Sequence, residues 1–133
     1  MEKPEIIGDL SKMKKLMYKV VNKLTHGIFL SIGISCPLKY KIDEKTIPEF
    51  GKIFCFESLE DAIDWGGRPF TIISGIAENP KRITCVSGNA RLDRNFWELY
   101  ESKKRISVPT LPSPKGTFAA DSFTPTKIVS RGH

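Results

Sequence analysis

Residues 51–67, GKIFCFESLEDAIDWGG, constrain the fold most strongly, because they join a strand directly to a capped helix. Residues 52–57 are mostly apolar and aromatic, which predicts a buried strand. Ser58 follows as the predicted N-cap, and Asp61, three residues later, completes a pair resembling a capping box. The helix dipole favours acidic residues in this first turn, so they need no metal-binding or catalytic role. We therefore predict a helix over residues 58–65.

This short helix is expected to pack on a sheet through its apolar side chains. Helical spacing places Leu59 and Ile63 on the inward side, and Trp65 is predicted to be buried against the sheet where the helix ends. Two glycines then stop the helix. A largely exposed Trp65 would instead indicate a hot spot for a binding partner.

A second, longer helix is predicted over residues 91–104. Phe96 and Tyr100 recur there at helical spacing with other apolar residues, while charged residues occupy the opposite side. We interpret Phe96, Trp97 and Tyr100 as core residues rather than as a platform for stacking nucleic-acid bases.

Short stretches rich in β-branched and aromatic residues predict about six or seven strands. Residues 108–116 are rich in proline and are predicted to form an extended loop. Because strands and helices do not alternate regularly, the predicted fold class is α+β with a mostly antiparallel sheet. The predicted strands cover residues 16–23, 27–35, 39–43, 52–57, 70–78, 82–88 and 117–129, the last of them kinked at Pro125.

The length of 133 residues predicts one domain. Residues 1–15 are polar and are expected to form an N-terminal tail or arm, followed by a single domain over residues 16–133. The longest uncharged stretch, residues 24–38, is too short and too rich in glycine and proline to span a membrane. We therefore expect no membrane association and a cytoplasmic location, which would be the host cytoplasm for a viral protein.

Cysteine and histidine usage argues against a zinc site. The chain holds Cys36, Cys55 and Cys85 at wide spacings without a CxxC pair, and its histidines are His26 and His133. A structural zinc site needs about four such ligands, usually in close pairs. We predict reduced thiols, no metal and no cofactor.

A net charge of +6 permits an anionic partner. Lys103, Lys104 and Arg105 follow the longer helix, where they suit a helix C-terminus but could also form a patch for an anion or nucleic acid. Lys115, followed by a glycine, is a candidate phosphate ligand through its ammonium and the nearby backbone amides.

Three segments carry a resemblance to a known family. The order YKVV, then GKIFCFESLEDAIDW, then PKGTFAADSFTPTKIV resembles small, largely uncharacterised proteins of bacteriophages, giant viruses and some bacteria. The resemblance covers roughly residues 17–129. It implies a viral or phage origin, and it implies no catalytic residues.

A second segment pair is similar to the His-Tyr-Glu branch of the ADP-ribosyltransferase fold. In that branch a His-Gly pair precedes a GKGIYF-like strand, and here His26-Gly27 precedes GKIFCF. The similarity implies that His26 would lie against the nicotinamide ribose and makes Lys52 a candidate ligand residue. Here Thr does not follow the His-Gly pair, and no glutamate matches the catalytic position.

These observations predict a non-enzymatic viral or phage accessory protein that acts by binding. Its partner would be a host or viral protein, a small nucleotide signal or a virion component, and the oligomeric state is open. The alternative is an ADP-ribosyltransferase-like enzyme that uses a nucleotide, with His26 in its site. A third hypothesis is a nucleic-acid-binding protein that uses the patch after the longer helix.

Overall fold

A computed structural model describes residues 13–25, 27–31, 38–66 and 70–130. These residues form two helices, α1 (Leu59–Gly66) and α2 (Asp93–Glu101), the second preceded by a 3-10 turn at Ala90–Leu92. The strands are β1 (Lys14–Thr25), β2 (Ile28–Ser31), β3 (Lys39–Lys41), β4 (Ile53–Phe56), β5 (Thr71–Glu78), β6 (Lys81–Arg82), β7 (Cys85–Ser87), β8 (Thr110–Pro112), β9 (Thr117–Ala120) and β10 (Ser122–Ser130). The predicted α+β class is confirmed, with more strands than expected.

The main sheet is antiparallel, with the order β10-β5-β1-β4-β9-β6. One edge of β1 pairs with β5 from Lys14 to Val21. The other edge pairs first with β4, at Tyr18, and then with β2, from Val21 onwards. β3 extends the β2 branch, so the sheet forks along β1.

The two faces of this sheet bury different side chains. We call the face that packs against the helices the outer face. Its cluster under α1 contains Val20, Phe56, Ala62 and Ile72, and its cluster under α2 contains Ile83, Phe96, Trp97 and Ala119. On the inner face, the β2–β3 branch packs over the largest cluster, which includes Met17, Val21, Phe29, Tyr40, Ile53, Cys55, Ile73 and Phe123.

The aromatic residues of α2 lie in the core, as predicted. Phe96 is fully buried and Trp97 is 3% exposed. The Trp97 ring lies against Gly51, where a Cβ atom would come within 2.5 Å of the ring, and the φ of +74° at this position also favours glycine. Phe54 of β4 packs on the same ring with a centroid distance of 5.3 Å.

The N-terminus of α1 agrees with the prediction, but its packing differs. Ser58 Oγ accepts a hydrogen bond from the Asp61 amide at 3.0 Å, which confirms the predicted cap. The prediction that Ile63 and Trp65 face inward is wrong, because they are 44% and 47% exposed. The helix contacts β1 through Gly66, where a Cβ atom would lie 2.6 Å from Val20. Because Gly66 faces β1, the preceding residue Trp65 lies on the flank of the helix and not against the sheet.

Three other element boundaries differ from the predictions. Residues 117–129 form two strands that turn at Asp121, and residues 82–88 contribute to two strands, β6 and β7. The proline-rich segment contains β8, which pairs with β7. Prolines are tolerated in β8 because it is an edge strand, where not every backbone N–H has to donate a hydrogen bond. The kink at Pro125 is present as a register shift in β10.

The helix α2 ends at Glu101 rather than at residue 104. Lys103 adopts the left-handed conformation with φ of 58°. Its amide donates to the Tyr100 carbonyl, and the Lys104 amide donates to the Leu99 carbonyl. These two hydrogen bonds form a Schellman motif, which stops a helix.

β1 begins at Lys14, slightly before the predicted start of the domain. The Met13 carbonyl accepts a hydrogen bond from the Asn79 amide at 2.7 Å, which attaches the start of β1 to the end of β5. Most of the predicted tail, residues 1–12, lies outside the described residues.

Candidate functional site

Four side chains form a row across the inner face of the sheet. Tyr18 packs with the α1 cluster on the outer face, so its neighbour Lys19 points to the inner face. Cys55 of β4 pairs with Phe118 of β9, and Phe118 pairs with Arg82 of β6. We call Lys19, Cys55, Phe118 and Arg82 the inner row.

At one end of the inner row, which we call its outer end because it reaches the solvent, the Phe118 ring lies beside two cations. Phe118 is half-buried, and Lys15 Nζ lies 5.9 Å from its ring centroid, while Arg82 Cζ lies 5.4 Å from it. Lys15 also forms an ion pair with Glu57, and the hydrogen bond and charge of Lys15 lower the pKa of that carboxyl. Lys15 and Arg82 are exposed, so this end of the inner row can meet a ligand from solvent.

The opposite end of the inner row holds a half-buried amine. Lys19 Nζ donates a hydrogen bond to the Phe54 carbonyl oxygen at 2.6 Å and lies 5.9 Å from the Tyr40 ring centroid. This contact lies at the fork of the sheet, because β1 pairs with β4 at Tyr18 and with β2 from Val21 onwards. Burial lowers the pKa of Lys19 to about 8, although the neighbouring Cys55 acts in the opposite direction.

Two protonated groups border this amine. Tyr40 is fully buried, and among the described residues its hydroxyl has no hydrogen-bond partner. Cys55 is also fully buried, with Sγ 3.6 Å from Met17 Sδ. Burial raises the pKa of Cys55 to about 12 and raises the pKa of Tyr40 as well. The Cys55 thiol is therefore protonated at neutral pH and is a poor nucleophile.

The structure separates the ligand residues expected from sequence. Lys52 forms an ion pair with Asp121 at 2.5 Å and lies 3.9 Å from Glu101. Lys115 is exposed and precedes β9. Because β4 and β9 are antiparallel, Lys52 and Lys115 lie at opposite ends of this strand pair and do not form one site. His26 lies outside the described residues.

Lys103, Lys104 and Arg105 are all exposed, as a binding patch requires. They follow α2, whose buried residues pack on the outer face, so they belong to a different surface from the inner row. The backbone of Lys103 and Lys104 ends α2, which explains the position of these two residues without a ligand.

A shallow depression of about 380 Å³ beside β3 is a further basic surface. Lys39, Lys41 and Lys45 line it, but Lys41 pairs with Glu44 at 3.4 Å and Lys45 pairs with Glu78 at 3.1 Å. These carboxylates compensate much of the positive charge, so the depression is a weaker candidate than the inner row.

Within the described ranges, no group of three or more His, Cys, Asp or Glu side chains could hold a metal ion. Cys55 and Cys85 are free thiols. None of the described helices is long and apolar enough to cross a membrane.

Sequence reasoning missed the inner row, although β1 held a signal. Lys15, Lys19 and Lys23 share one parity with Met17 and Val21, so lysines alternate with core residues on one face of that strand. Phe118 and Arg82 come close to these lysines only because β4 pairs with β9 and β9 pairs with β6. Local sequence patterns do not reveal such long-range pairing.

Comparisons of the chain with protein-family models, with curated proteins and with solved structures find no match. The two resemblances drawn from the sequence therefore stay predictions.

Proposed function

We propose that this protein is a binding protein whose ligand is a nucleotide held at the outer end of the inner row. The observation that carries the proposal is the half-buried Phe118 ring flanked by Lys15 and Arg82 on one sheet face. An aromatic ring offers a surface for stacking a base, and flanking cations attract the phosphates.

Charge and geometry both support this assignment. Lys15 and Arg82 together outweigh the single charge of Glu57, so the surface around the ring has a net positive charge. An arginine fork also matches two phosphate oxygens better than an ammonium does. We assign Phe118 to stacking and Arg82 to phosphate binding, with Lys15 adding charge.

The wider role follows the resemblance to small phage and giant-virus proteins. We propose a viral or phage accessory protein that sequesters a nucleotide signal without converting it. The capture of a host factor or a virion partner, which the sequence also suggested, would use surfaces other than the inner row.

Isothermal titration calorimetry with ATP and with a ten-nucleotide oligothymidine tests the proposal at 50 and 200 mM NaCl. We expect ATP binding that Phe118→Leu weakens by about 5–150-fold, because a stacked base contributes roughly 1–3 kcal/mol. Arg82→Gln should weaken binding and reduce its dependence on salt. Absence of ATP binding by the wild type at 50 mM NaCl would contradict the proposal.

The matched control replaces Lys103, Lys104 and Arg105 with glutamine. This variant loses more positive charge than Arg82→Gln but leaves the inner row intact, so ATP binding should stay within about twofold of wild type. If the control loses binding while Phe118→Leu keeps it, the surface after α2 is the site. Tight binding of the oligonucleotide with no ATP binding would favour the nucleic-acid hypothesis.

A nicotinamide-release assay with NAD tests the enzymatic alternative. We expect no release from the wild type. Release that disappears in His26→Ala would replace the proposed binding function with the ADP-ribosyltransferase-like activity.

A further inference from the structure

Two polar groups at the Lys19 end of the inner row, the Lys19 amine and the neighbouring Tyr40 hydroxyl, do not fit a purely structural core. Lys19 Nζ donates a hydrogen bond to the Phe54 carbonyl oxygen of β4 at 2.6 Å and lies 5.9 Å from the centroid of the Tyr40 ring. Tyr40 reaches the same region from β3 and keeps a fully buried hydroxyl without a partner among the described residues. A buried hydroxyl without a partner is costly and is commonly explained by a water or a ligand.

We propose that Lys19 and Tyr40 form a site for the carbonyl group of a small aldehyde, with Lys19 as the nucleophile and Tyr40 as the hydrogen-bond donor to the carbonyl oxygen. The site is independent of the proposed nucleotide site, because it uses neither Phe118 nor Arg82. The bound carbonyl oxygen gives the Tyr40 hydroxyl an acceptor, which the described residues do not provide.

The reaction is formation of an imine. The neutral Lys19 amine attacks the carbonyl carbon and forms a C–N bond, and the carbonyl π electrons move to the oxygen. Both protons of the amine are transferred to that oxygen, which leaves as water when the C=N bond forms. The Phe54 carbonyl orients the amine, and no oxidant or reductant is consumed.

The electrostatics of the site favour this chemistry. Burial lowers the pKa of Lys19 from 10.5 to about 8, which increases the neutral fraction of the amine at pH 7 on the order of a hundredfold. The titratable groups that face Lys19 are Cys55 from β4 and Tyr40 from β3, and both are protonated at this pH because burial raises the pKa of each. β5 contributes the apolar Ile73 opposite Lys19.

Reductive ethylation with acetaldehyde and sodium cyanoborohydride at pH 7 tests the proposal, with peptide mapping by mass spectrometry. Cyanoborohydride reduces the imine and fixes the ethyl group on the lysine. We expect Lys19 to be ethylated at least about tenfold faster than Lys23, an exposed lysine of the same strand. The Lys19 rate should rise from pH 6 to pH 8 as its amine loses its proton.

Tyr40→Phe removes the hydroxyl and retains the ring. It should slow ethylation of Lys19 by threefold or more and leave the Lys23 rate unchanged, with urea unfolding used to verify a native fold. The proposal is wrong if Lys19 reacts no faster than Lys23. It is also wrong if a folded Tyr40→Phe variant labels Lys19 at the wild-type rate, because the amine would then act without the hydroxyl.

Discussion

The two faces of the sheet are closed in different ways. On the outer face, α1 and α2 cover apolar and aromatic clusters. The inner face is closed by the β2–β3 branch and keeps the Lys19 amine, the Tyr40 hydroxyl and the Cys55 thiol against its apolar side chains. Apolar clusters on both faces contribute stability, whereas burying polar groups costs it. The two faces therefore differ in that the inner face encloses polar groups within its apolar cluster, and both proposed sites lie on that face.

The largest expected effect is on the outer face, at Trp97. Trp97→Ala removes a ring that packs against Gly51, Phe54 and Phe96 and leaves a cavity. We expect a loss of about 3–5 kcal/mol in the free energy of unfolding, measured by urea denaturation. A loss below about 1.5 kcal/mol would show that this face contributes less to stability than its packing implies.

Trp65→Ala is the matched control for Trp97→Ala. Trp65 is half-exposed, and its ring lies 5.9 Å from Phe56, so we expect a loss of about 1 kcal/mol. A loss as large as that of Trp97→Ala would show that the exposed tryptophan supports the α1 cluster after all.

The next effect is a pH dependence on the inner face. The pKa of Lys19 is about 8 in the folded protein, below its value of 10.5 in the unfolded chain. Between these values the unfolded chain binds more protons, so Lys19 contributes a gain of about 2 kcal/mol to the free energy of unfolding from pH 8 to pH 10. The raised pKa values of Cys55 and Tyr40 act in the opposite direction. Compared with the wild type, Lys19→Met should therefore lose about 2 kcal/mol of stability at pH 10 relative to pH 8, as followed by urea denaturation at each pH.

Lys23→Met is the control, because Lys23 is exposed on the same strand. It should keep the wild-type pH dependence. If Lys19→Met and the wild type change in parallel from pH 8 to pH 10, the Lys19 amine is solvated and the contrast between the faces is weaker than proposed.

The smallest effect concerns the end of α2. Lys103 adopts a left-handed conformation that is unfavourable for a residue with a side chain. Lys103→Gly should therefore raise the free energy of unfolding by about 0.5–1 kcal/mol. Lys104→Gly removes the same charge at a position without positive φ and should give no gain. Stabilisation by both variants would point to charge repulsion instead of backbone strain.

Local patterns predicted much of the fold. The cap at Ser58, the strand before it and the buried aromatic face of α2 depend on residues close in sequence, and all were predicted. The strand boundaries near Asp121 and in the proline-rich segment were missed, because β8 is stabilised by pairing with β7 rather than by its own composition.

The sequence by itself determined the two helices, most of the strands and which elements carry buried aromatic residues, since periodicity and capping act over a few residues. Only the tertiary structure decided the fork of β1, the exposure of Trp65 and the inner row. Lys19, Cys55, Phe118 and Arg82 are distant in the chain and become neighbours only through the registers of β1, β4, β9 and β6. Trp65 is exposed because Gly66 contacts Val20 closely, a contact between two elements that no local pattern specifies.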